Sequence, residues 1–179
     1  MEFQKILEKR KSTRKYIADK KVSPEIIHEM LSAATLAPSW KNSQTARYYV
    51  ITSDDMLSKV KEQALPPFNA NNTKDAPVLI VTSYVKNRSG FEKDGTPSNE
   101  LGNQWGAYDL GLHNANLILK AAELGLDTLI MGIRNAEKLY EILGISRDET
   151  IVSVIAAGYG DYDNERPKRK TPEDIAKFF

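Results

Sequence analysis

The stretch from Gln104 to Leu124 constrains this chain more than any other. Its apolar residues have helical spacing, with Trp105, Tyr108, Leu112, Ala115, Leu119 and Ala122 along one stripe, yet Leu110, Leu117, Ile118 and Leu124 lie off that stripe. A helix that is apolar on more than one side has to be covered on more than one side. It therefore lies in the middle of the domain or against a second chain. The near-continuous apolar run Val78 to Val85 has the length and composition of a strand and also asks for cover on both faces. A central helix and a central strand need a sizeable core, and 179 residues are enough to build one. One domain over residues 1–179 is expected, not two.

The remaining elements surround these two. Ser23 and Pro24 open a helix with Ile26, Ile27, Met30, Leu31 and Ala34 on one face, and Pro38 ends it. Tyr48 to Thr52 reads as a strand, after which Ser53 starts a short helix with Met56, Leu57 and Val60 inward. Gly90, Gly95, Pro97 and Gly102 mark Lys86 to Asn103 as a loop or partly ordered excursion. Gly125 stops the long helix, Asp127 to Met131 reads as a strand, Asn135 caps a helix through Leu143, and Ile151 to Ala157 reads as a buried strand. Thr171-Pro172-Glu173-Asp174 begins a last short helix. Helices and strands alternate without a clean βαβ repeat, so the fold class is α+β, with helices on both faces of one sheet.

Charge and composition exclude several functions. Lys and Arg total 25 against 24 Asp and Glu, so no global field holds nucleic acid or an anionic membrane. With no cysteine there is no disulfide, thiolate nucleophile or cysteine-bound metal cluster. No apolar run approaches the roughly 20 residues a membrane span requires. The chain opens in an amphipathic pattern, not in the apolar stretch of a secretory signal, so a soluble cytoplasmic protein is expected. Of the two histidines, His28 has charged neighbours in an amphipathic helix and reads as a surface residue; His113, in the long helix, reads as a satisfied core or interface residue. No metal site is expected.

Two basic runs lie near opposite ends: Lys9-Arg10-Lys11-Ser12-Thr13-Arg14-Lys15 and Arg166-Pro167-Lys168-Arg169-Lys170. Brought together, their guanidinium and ammonium groups and the Ser12 hydroxyl would surround an anion, and phosphate is the natural occupant. Two other readings stay open. Charge runs are usually solvated faces, and a nucleic-acid arm is conceivable, although no aromatic residues are interleaved for stacking. The segment Ala37-Pro38-Ser39-Trp40-Lys41-Asn42-Ser43-Gln44 carries amide and hydroxyl groups and one large aromatic, suited to a planar heterocycle or a sugar; it also serves as a helix stop and turn.

Taken in order, several motifs resemble the nitroreductase family of flavin mononucleotide (FMN) enzymes over nearly the whole chain. They are Arg10 to Tyr16, the Ala-Pro-Ser-x-x-Asn-x-Gln pattern of Ala37 to Gln44, and Asp109 with Asn116 and Leu117 leading into Ala121 to Leu126. Met131-Gly132, Gly158-Tyr159-Gly160 and the basic tail before Pro172 follow. The resemblance implies a three-layer sandwich with a central, mostly antiparallel sheet and a domain-entwined homodimer with one FMN in each of two interface clefts. It implies that Arg10, Lys11 and Ser12 bind the phosphate with the tail, where Lys168 and Lys170 best match the family's basic positions and Arg169 is adjacent. Arg14 would lie near the pyrimidine edge of the ring. Pro38, Ser39, Asn42 and Gln44 would come from the other subunit, Trp40 would flank or gate the cleft or else serve as a packing or dimer-interface aromatic, Asn69 would contact the ring, and Met131 and Gly132 would offer backbone amides to flavin N5.

The activity implied is an NADH- or NADPH-dependent oxidoreductase that reduces a nitroaromatic, quinone or similar small acceptor in alternating half-reactions. The alternative is a flavin-binding or flavin-handling protein without turnover. A cation near flavin N1 and O2 stabilises the reduced ring, which points to Arg14 as the main influence on potential. Asn72 stands where some relatives carry a Lys facing the flavin, and Lys74 could replace it after a small loop shift. The Lys86 to Asn103 loop is short for the region that caps the substrate in larger relatives.

Overall fold

The computed structural model describes residues 2–161 and 165–179. In chain order its elements are α1 (Phe3–Lys9), α2 (Pro24–Thr35), β1 (Ala46–Ile51), α3 (Asp54–Ala64), α4 (Pro67–Asn72), β2 (Val78–Val85), α5 (Gln104–Glu123), β3 (Asp127–Met131), α6 (Ala136–Leu143), β4 (Glu149–Gly158) and α7 (Pro172–Ile175). The strands form one sheet in the order β1-β2-β4-β3, every neighbour antiparallel.

Alternation along the central strands divides the core in two. Leu79 and Val81 point to one face, where Leu57, Val60 and Ala64 of α3 and Leu139 of α6 join Leu129, Met131 and Ile151. Val78 and Ile80 point to the other, against Ile27, Met30 and Ala34 of α2 and Leu117 and Ala121 of α5. The result is helices, sheet, helices, as expected for the fold class. β2 is buried along nearly its whole length, and both ends match the sequence reading.

Capping follows the sequence at two helix starts, whereas Ser53, expected to cap α3, stands at its N-cap without a side-chain hydrogen bond. The Ser23 hydroxyl accepts the Ile26 amide at 3.5 Å, and the Asn135 side chain accepts the Lys138 amide at 3.1 Å. Helix α2 ends at Thr35 with Leu36 still in helical geometry as its C-cap, and Pro38 bars continuation because Ala37, directly before it, is steered out of the helical region. The two-sided apolar character of α5 is only half used. Leu110, Leu117 and Ala121 are buried in the chain, whereas Gly111 and Ala115 are exposed and Tyr108 is 60% exposed.

Beyond β3 the chain start adds a short edge. Ser12 bridges Thr128 in the parallel sense, the Thr13 amide donates to Thr128 O at 3.0 Å, and Tyr16 bridges Gly160. Tyr16 is buried and its hydroxyl donates to Thr13 O at 3.1 Å, which fixes the segment carrying the first basic run. No helix among the described residues is long and apolar enough to cross a membrane.

Candidate functional site

The first basic run is extended and tied to the Thr128 end of β3. The tail returns to meet it, and the two enclose a cleft of about 140 Å³ lined by Arg10, Lys11, Ser12 and Arg14 from one side and Glu165, Arg166, Pro167 and Arg169 from the other. Arg166 is anchored there by donating to the carbonyls of Leu7 and Glu8, both at 2.9 Å, at the C-terminal end of α1. Helix carbonyl ends are electronegative, so a guanidinium is favoured in that place. Burial, followed by the charges of Arg166 and Arg169, pulls the Arg10 guanidinium below its ordinary range. Among the described residues none of these three guanidinium groups forms an ion pair. Like charges gathered without a carboxylate partner call for an anion. Lys168 and Lys170 do not line the cleft; Arg169 does, and Arg166, not singled out beforehand from its basic run, joins it.

A second group lies at the far end of β3. The Asn69 side chain, buried on α4, donates to Ile133 O at 2.9 Å, and the Asn135 amide donates to Ala64 O at 2.8 Å. Arg134 donates to Ile151 O, a β4 carbonyl beyond the point where β3 has ended. These contacts pin the turn after Met131. Gly132 is exposed, and a Cβ placed on it would meet nothing within 4 Å. Thr128 and Gly132 are separated by about 13 Å along the strand. The outer edge of β3 between them carries Ile130, 47% exposed. Asn72 is half-buried on α4, whereas Lys74 lies beside Asp75 and lines a different cavity with Lys20, Lys21 and Lys61.

The polar loop is elsewhere. Lys41, Asn42 and Gln44 have φ of 45°, 54° and 49°, left-handed values that cost non-glycine residues of order 1–3 kcal/mol each. Several contacts hold this shape. Ser39 Oγ accepts the Gln44 amide at 3.0 Å, Arg47 donates to Gln44 O at 3.0 Å, and the Trp40 amide donates to Asp109 Oδ2 at 3.0 Å. Ser89 Oγ donates to the same carboxylate oxygen at 2.6 Å. Trp40 also packs on Trp105 with ring centroids 4.7 Å apart, and Lys41 reaches the Glu92 carboxylate at 2.9 Å. Both members of that ion pair are well exposed, so it contributes less than the hydrogen bonds to buried Asp109. Pro38, Asn42 and Gln44 are exposed, and Ser39 and Trp40 half-buried.

The strand register places the two constellations at diagonal corners of the sheet. Ser12 aligns with Thr128, Ala157 and Val78; the polar loop enters β1 at Ala46, in line with Tyr84 and Thr150. Four interstrand steps and at least six residues along the strands separate them by about 25–30 Å.

Both histidines follow their expected burial. His28 is exposed, while His113 is 5% exposed and its Nε2 has no hydrogen-bond partner among the described residues. Desolvation lowers the His113 pKa, partly opposed by Asp109 one turn earlier on α5. No cluster of metal-ligating side chains occurs among the described residues.

A profile of the nitroreductase family matches residues 7–159, and the chain belongs to that family. A protein of Archaeoglobus fulgidus, provisionally named an NADH dehydrogenase/NAD(P)H nitroreductase, is 30% identical over 164 residues, covering 87% of this chain and 83% of that protein. Among solved structures, a provisionally named nitroreductase from Exiguobacterium sibiricum, crystallised with FMN, superposes with a TM-score of 0.88 at 23% identity over 100% of this chain and 98% of that one. A nitroreductase family protein from Streptococcus pneumoniae gives 0.86 at 22% identity over 99% and 100%. At these identities the solved structures establish the fold.

Proposed function

We propose that the chain is an FMN-dependent NAD(P)H oxidoreductase that works as a homodimer and passes electrons to a small conjugated acceptor such as a nitroaromatic or a quinone. The observation that carries this is the outer edge of β3, with a basic cleft at the Thr128 end and an open, pinned turn at Gly132. The span of about 13 Å between them suits a phosphate, a five-carbon ribityl chain and the near part of a tricyclic ring. Unpaired guanidinium groups at one end and an uncovered backbone at the other suit the two ends of FMN.

Bound FMN would supply the hydride chemistry, and the residues of this chain would bind and tune it. Arg10, Ser12 and Arg169 grip the phosphate, with Arg166 adding charge behind them. Arg14, extended from the same segment, favours negative charge on the pyrimidine edge. The turn at Met131-Gly132 presents backbone amides that Asn69 keeps in place. Ser39, Asn42 and Gln44 of the partner subunit complete the wall, because within one chain three interstrand steps, about 14 Å, separate the β1 edge they precede from the β3 edge proposed for the cofactor. A dimer also supplies the missing cover for Tyr108, Gly111 and Ala115 on the outer face of α5.

Anaerobic addition of NADH or NADPH to the purified yellow protein tests the proposal. Bleaching of the flavin absorbance, and its return on adding a quinone, is expected. Yellow protein that stays oxidised with both nucleotides would instead identify a flavin binder without turnover.

A further inference from the structure

We infer that Asp109 is a positioning residue that acts on the neighbouring subunit: by fixing Trp40 it holds Ser39 to Gln44 in the strained shape that reaches the other chain's flavin. The inference rests on the function proposed above. Three left-handed residues in four do not persist unless their surroundings over-determine them, and such strain collects at functional sites. Asn42 and Gln44 are exposed, and their side chains make no hydrogen bond among the described residues.

Asp109 is 3% exposed and forms no ion pair among the described residues. A buried carboxylate without a cation is costly, and this one spends Oδ2 on the amide that opens the loop and on the Ser89 hydroxyl. Ser89 belongs to the 86–103 excursion, which reaches the loop once more through Glu92 to Lys41, while Trp105 on the first turn of α5 packs on Trp40. The excursion is bonded within itself and to α5: the Glu92 amide donates to Thr96 O at 2.9 Å, and Trp105 Nε1 on α5 donates to Asn99 Oδ1 at 2.9 Å. It therefore props the polar loop of its own chain.

Subunit mixing provides the test. One chain carries Asp109→Ala, the other Arg10→Ala with Arg169→Ala, and the mixed dimer is purified through two different tags. The Asp109→Ala homodimer is expected to remain a dimer and bind FMN about tenfold more weakly than wild type, as a charge-assisted hydrogen bond is lost. Asp109→Asn, which keeps an acceptor oxygen in place, should restore most of the affinity. In the mixed dimer one site combines an intact cleft with an intact loop, so about half the sites should bind FMN with wild-type affinity.

A mixed dimer with no such site, from parents that are both folded dimers, overturns the inference and leaves the proposed function standing. Wild-type affinity in the Arg10/Arg169 homodimer would overturn the phosphate assignment and this inference with it. Asp109→Ser, whose side chain is too short to reach the Trp40 amide, replaces the alanine variant if that chain does not fold.

Discussion

The basic corner and the strained corner of this sheet pay for their readiness in different currencies. At the first, Arg10, Arg166 and Arg169 are gathered without an ion pair among the described residues, so the cost is electrostatic and an anion relieves it. At the second, Lys41, Asn42 and Gln44 hold left-handed backbone, so the cost is conformational and stays with the chain whether or not a ligand is present. The difference teaches that the first corner is built to grip and the second to present. Ligand affinity should thus be concentrated in the basic corner, and latent stability in the strained one.

The largest effect should come from removing the grip. Arg10→Ala with Arg169→Ala is expected to weaken FMN binding by about 3 kcal/mol, roughly a hundredfold, by titration calorimetry of the apoprotein. Next is Gly132→Ala. Open space around that position predicts a change in thermal stability within about 0.5 kcal/mol, but a loss of flavin affinity of about tenfold as the methyl enters the ring's place.

Acid should reach the strained corner through His113. Its folded pKa is depressed, so the unfolded chain takes up the proton first; the contribution is complete above the unfolded value near 6.5 and is lost as pH falls from there toward the lower folded value. Thermal melts should show stability decreasing from pH 7.5 to 5, and His113→Leu should flatten that part of the profile. The smallest effect is Gln44→Gly, which relieves one left-handed residue and should stabilise the apoprotein by about 0.5 kcal/mol in denaturant unfolding. If it weakens FMN binding without that gain, Gln44 is not strained and the contrast between the corners fails.

The architecture was readable wherever burial alone decides the element. Val78–Val85 is apolar on both faces, and Asp127–Met131 lies between a glycine stop and a capping asparagine, so both strands are found where expected. Helix α4 was not, because a six-residue helix rich in asparagine has no period to detect. Of the site, the two basic runs were visible as charge, but their meeting depends on a contact between residues 10 and 169 that no local pattern encodes. The tail offers four cations in five residues, and its path, not its composition, turns Arg166 and Arg169 inward and leaves Lys168 and Lys170 outside the lining. The polar loop was legible as chemistry, but its left-handed backbone and the role of Asp109 were hidden, since a lone acid on an apolar helix gives no partner in sequence.

Comparing FMN with riboflavin bound to the same apoprotein tests the central claim most directly, because the two ligands differ only in the phosphate. The account predicts FMN tighter by about a hundredfold in the wild type and nearly equal affinities in the Arg10/Arg169 double variant. Equal affinities in the wild type would contradict it.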